Sequence, residues 1–79
     1  MNFEAWFEKA VELIDADISV GQTFEVKKLF KGTEWDEESI ADRRRFGRFF
    51  SDKVKSGYPP NIKRVEEAYR GSNKYVKTN

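Results

Sequence analysis

Arg43, Arg44, Arg45 and Arg48 crowd into one short stretch of the chain. Guanidinium groups are permanent cations with a planar fork of donors, so the chemistry on offer is recognition of anions. The stretch runs from Ser39 to Gly57 and carries its own helix signals. Ser39 and Asp42 have the spacing of a capping box, in which each side chain satisfies an orphan backbone N–H. Gly57 stands where a left-handed residue closes a helix, and Lys53 and Lys55 complement the negative helix end. A helix over 40–56 is expected to present the arginines.

Angular position sorts them. At 100° per residue from Ile40, Phe46, Gly47, Phe50 and Val54 fall between about 240° and 340° and join Ile40 in one apolar stripe. Arg44, Arg48 and Lys55 fall between about 40° and 80°, and Arg45 near 140°, so these four point outward together. Arg43 falls inside the apolar stripe, near 300°, and is expected along the core edge with its stem buried. Replacing Arg43 should therefore cost stability before it costs binding. Gly47 is unfavourable in a helix interior by about 1 kcal/mol, a cost expected to be offset by close approach of another element. An amphipathic helix with a merely solvated charged face has the same pattern, so context must decide.

The 79 residues make one domain whose apolar side chains share one core. Hydrophobic content is only 38%, but aromatic content is 15%, so large rings must supply the buried area. There is no cysteine and no histidine, which removes disulfides, thiol nucleophiles, the usual zinc ligands and the commonest general base. Neither a catalytic residue nor a metal site nor a cofactor is expected, and the chain is read as a binding protein, not an enzyme. Lacking a membrane-length apolar run and a basic leader, it is expected in the cytoplasm with no membrane partner.

Net charge is only +1, yet its distribution is lopsided. Residues 1–40 hold four lysines and ten acids, a net of −6; residues 41–79 hold eleven basic residues and four acids, a net of +7. One side can meet a polyanion while the other turns away from it.

The elements that must position the arginines follow from periodicity. Phe3, Trp6, Phe7, Ala10, Leu13 and Ile14 repeat at helical spacing, predicting a core helix over 2–15. Asp15 and Asp17 resemble the start of a calcium loop, but the glycine and later glutamate are missing. A short strand over 22–26 leads into a short helix over 26–31, with Val26, Leu29 and Phe30 inward and Lys27, Lys28 and Lys31 outward. Trp35 is expected to plug the core from a turn, inside the acidic run Glu34–Glu38. After Tyr58-Pro59-Pro60, a hairpin over 62–77 is expected, turning at Gly71-Ser72. That turn would set Glu66 opposite Lys77 and Ala68 opposite Tyr75.

This order resembles a small α+β winged helix-turn-helix domain: three helices, a short strand and a C-terminal hairpin wing. The pattern Phe24-x-Val26-Lys27-x-Leu29-Phe30, then Trp35, then Arg43-x-x-x-Gly47-Arg48-x-Phe50 is similar to a family of short uncharacterised proteins of Gram-positive bacteria and their phages. The winged-helix resemblance implies sequence-specific or structure-tolerant binding of double-stranded DNA, as in a small transcriptional regulator or a mobile-element accessory factor. Carried over by position, Arg44, Arg45 and Arg48, with Lys55 beside them, become groove residues suited to guanine edges. Ser39 would take a phosphate at the helix N-terminus. Lys27, Lys28 and Lys31 would lie along the backbone. Lys63, Arg64, Arg70 and Lys74 would make positioning contacts from the wing. The alternative is a protein-interaction module without DNA binding, using the aromatic first helix or the arginine face to grip an acidic protein partner. A homodimer is compatible with either.

Overall fold

The computed structural model describes residues 1–30, 32–65 and 74–79. Among these run α1 (Phe3–Asp17), β1 (Thr23–Glu25), α2 (Val26–Leu29), α3 (Glu34–Glu37), α4 (Ile40–Lys55), β2 (Ile62–Val65) and β3 (Lys74–Lys77). The strands form an antiparallel sheet in the order β1-β3-β2, so the last strand is the central one. None of the described helices is long and apolar enough to cross a membrane.

α1 begins at Asn2, whose side chain accepts the Ala5 N–H at 3.1 Å. Its stripe buries Phe7, Ala10 and Ile14, with Phe3, Trp6 and Leu13 packed beside them. The helix continues through Asp17, two residues past the expected end, and closes with the Ile18 N–H donating to Ile14 O at 3.1 Å. Acids are a poor match for a negative helix end. The compensating cation comes from β3: Lys77 Nζ donates to Ile18 O at 2.9 Å and to Ile14 O at 3.4 Å. Replacing Lys77 by methionine keeps the stem but leaves these carbonyls without their charged donor. The variant should lose about 1–3 kcal/mol, read as a shift of the urea midpoint at unchanged slope.

α4 is held at both ends by its own sequence. Ser39 Oγ accepts the Asp42 N–H at 3.1 Å. The capping box is only half formed, because the Asp42 carboxylate turns to Arg45 Nη1 at 3.3 Å and to the Met1 ammonium group at 3.7 Å. At the other end the Tyr58 N–H reaches Lys53 O and the Gly57 N–H reaches Val54 O, both at 3.0 Å. This is a Schellman closure, and Gly57 at φ +93° supplies the left-handed residue it needs.

The core is aromatic. Phe46 is fully buried, with the rings of Phe3, Trp6, Phe30, Trp35, Phe49 and Phe50 around it at centroid separations of 5.9–6.4 Å. Phe50 carries the contact to the sheet, edge-on to Tyr75 at 4.9 Å. Trp35 is buried as expected, but from a helical turn, α3, and not an open one. There it stacks on Phe30 at 5.2 Å and an interplanar angle of 10°. α2 ends at Leu29 because Phe30 adopts an extended backbone to make that stack.

Two further expectations are corrected. β2 and β3 pair Ile62 with Lys77 and Arg64 with Tyr75, four residues away from the expected register. A four-residue shift leaves the faces unchanged, but it brings Ile62 alongside β3, opposite Lys77 and diagonal to Tyr75, so that Ile62 and Tyr75 are buried side by side. In the expected register Ile62 would lie past the end of β3. Gly71, Ser72, Glu66 and Ala68 lie outside the described residues. Ile40, expected in the apolar stripe, is 61% exposed, since α4 reaches the core only from Phe46 onward.

Candidate functional site

α4 packs against the sheet, and a groove of about 730 Å³ opens along the seam between them. Its α4 wall is Ile40, Arg43, Arg44, Gly47, Arg48, Ser51, Asp52 and Lys55, a row at the three-to-four spacing of one helix face. The far wall comes from the β1–α2 junction (Glu25, Val26, Lys27), with Arg64 of β2, Tyr75 of β3 and Trp35 of α3. Six cations against two carboxylates give this groove a net positive field focused by low-dielectric walls.

Of the residues singled out by sequence, Arg44, Arg48, Lys55, Lys27 and Arg64 meet here. Arg45 does not line the groove; its side chain is 69% exposed and tied to Asp42. The Ser39 hydroxyl already caps α4 and sits outside the groove. Lys28 and Lys63 are exposed and Lys74 is half-buried, all three away from the groove. Lys31 and Arg70 lie outside the described residues.

Arg43 combines two roles. Its side chain is mostly buried, as expected, with Nη1 3.8 Å from Asp36 Oδ1, yet it also forms part of the groove wall. Gly47 overturns its expectation. A Cβ built there would meet nothing within 4 Å, so no packed element explains the glycine. It faces the groove instead, and leaves bare helix backbone for whatever enters. Gly47→Ala should therefore raise stability by about 0.5–1 kcal/mol, read from a melting curve.

Three buried side-chain polar atoms among the described residues lack a hydrogen bond: Glu25 Oε2, Arg43 Nε and Tyr75 Oη. All three residues line this groove. The Glu25 carboxylate has Lys27 Nζ 3.5 Å away, close enough for charge pairing without a hydrogen bond. Burial pushes the Tyr75 phenol above its ordinary value, opposed by the nearby Ser51 side chain and the Arg64 charge, and reinforced by Asp52. The Ser51 hydroxyl is near Tyr75, but not in hydrogen-bonding geometry. Sequence reasoning had no means of finding Glu25 or Tyr75, because only the packing of α4 against the sheet brings them to the arginines.

A solved structure described as an SCCmec type IV LP1413 nucleic acids binding protein is similar to this chain. The TM-score is 0.67 and the identity 26%, over 98% of this chain and 94% of that one. No curated protein matches. Residues 8–77 match the family described as Domain of unknown function (DUF1413), and the chain belongs to that family.

Proposed function

We propose that this protein binds nucleic acid through the groove face of α4. The observation that carries the proposal is the convergence of Arg43, Arg44, Arg48 and Lys55 of α4 with Lys27 and Arg64 on one concave surface. Cations so gathered bind phosphates chiefly by releasing counterions, a term that needs no sequence match. The similar protein named for nucleic-acid binding supports the same reading. In its finer form the proposal treats the fold as a winged helix on double-stranded DNA. α4 is then the recognition helix, Arg45 reaches the major groove from the flank, and Lys63 and Lys74 lie on the wing side. A small regulator or a mobile-element accessory factor would use such a domain.

A second reading has its own support: most of these cations line a recess and do not crown a ridge. A recess between helix and sheet suits a single strand, whose unstacked bases can enter it, better than a rigid duplex. Titration of labelled duplex and of its separated strands, each at two salt concentrations, tests both. Binding that weakens steeply with salt is expected, and the tighter substrate decides between the forms. Retention of neither overturns the proposal and leaves the protein-partner alternative, for which the acidic half and α1 would be the surfaces to mutate.

A further inference from the structure

Three polar atoms of groove-lining residues lack a hydrogen bond, Glu25 Oε2 having only the Lys27 ammonium group 3.5 Å away, and they constrain what the groove takes. Tyr75 is fully buried, and its hydroxyl is one of them. Glu25 Oε2 can only accept and Arg43 Nε can only donate. A metal ion fits badly beside the guanidinium, and a bare phosphate fits badly beside the carboxylate. The occupant must offer donors and an acceptor together from a neutral group, and the volume is that of a small-molecule pocket. Arg44 and Arg48 in the same groove fit a phosphate attached to that group.

A nucleobase linked to phosphate meets all of these demands, and the bases are not equal. Guanine carries two adjacent donors, N1–H and the 2-amino group, which match the two oxygens of a carboxylate. It also carries O6 and N7 acceptors, the usual partners of arginine. Adenine, cytosine and thymine each offer only one donor position on that edge. We infer that the recess beside Gly47 is a guanine-selective base pocket, with Glu25 as the specificity-determining acceptor, Arg43 as the donor and bare helix backbone at Gly47 leaving room for the ring. Tyr75 Oη supplies the third polar contact. The inference rests on the nucleic-acid reading and adds a base preference to it. The guanine belongs either to an unpaired position in a strand or to a free nucleotide; the chemistry is shared.

The test uses the full chain and a labelled oligothymidine with one central guanine, inosine, adenine or thymine. Guanine should bind about tenfold more tightly than adenine or thymine, and inosine, which lacks the 2-amino group, should lose most of that gain. Glu25→Gln should erase the preference while keeping the salt-dependent binding. Tyr75→Phe, which removes only the hydroxyl, should reduce the preference in a protein that still melts cooperatively. Guanosine monophosphate displacing the guanine strand more effectively than adenosine monophosphate identifies free nucleotide as an occupant; displacement by neither restricts the pocket to strands. Equal affinity for all four oligonucleotides overturns the pocket and leaves the general proposal standing. No binding to any strand or duplex overturns both.

Discussion

Replacing Arg44, Arg45 and Arg48 together by alanine should weaken nucleic-acid binding at least about tenfold at low salt. It should also flatten the dependence of log K on log salt by about two to three units. The flattening is the sharper signature, because each cation that neutralises a phosphate adds close to one unit to the slope. All three side chains are exposed and none belongs to the buried core, so melting should hardly change. Single variants separate the two forms of the proposal. If the recess is the site, Arg44→Ala and Arg48→Ala should each lose more than Arg45→Ala, since Arg45 lies on the flank and already pairs with Asp42. If α4 enters a major groove as a ridge, Arg45 should matter as much as its neighbours. Wild-type affinity and slope retained in the triple variant would remove the exposed arginines of α4 from the interface.

Much of this molecule is legible one residue at a time. The α1 stripe and the caps of α4 follow from local rules, since Ser39 and Gly57 act on backbone groups within a few residues of themselves. What local rules miss is what arrives from elsewhere. The end of α1 is held by Lys77, 59 residues beyond Ile18 in sequence, and the β2–β3 register is set by bringing Ile62 beside Tyr75 in the core. The site itself is missed for a similar reason. Dividing α4 into an apolar and a basic face hides the seam between them, where Arg43, Gly47, Ser51 and Arg44 line up. That seam becomes a groove only when β1, α2 and the sheet supply the second wall. Gly47 was the available signal. A glycine inside a helix wants a reason, and here the reason is open space and not tight packing.

Phe46→Ala should be the most damaging single substitution in the chain, with a loss of about 3–5 kcal/mol. Aliphatic residues are scarce, so rings carry the core and their mutual contacts cannot be replaced by neighbours. Phe46 is where the contributions of α1, α3, α4 and the residue that follows α2 converge, because rings from Trp6, Trp35, Phe50 and Phe30 surround it. Rigid rings cannot flow into a hole as methyl groups partly can, so the cavity term should sit near its upper range. A 79-residue domain has a total stability of about 4–12 kcal/mol. The variant is thus expected to be largely unfolded at moderate temperature, with the loss of a cooperative thermal transition as the readout. Phe46→Leu keeps most of the volume and should remain folded at a cost near 1–2 kcal/mol. Phe49→Ala gives the internal comparison. Phe49 is adjacent to the same cluster but only partly buried, so it should cost clearly less. Equal losses at positions 46 and 49 would show that the ring cluster has no centre, and that α4 is anchored by its whole aromatic face and not by one residue.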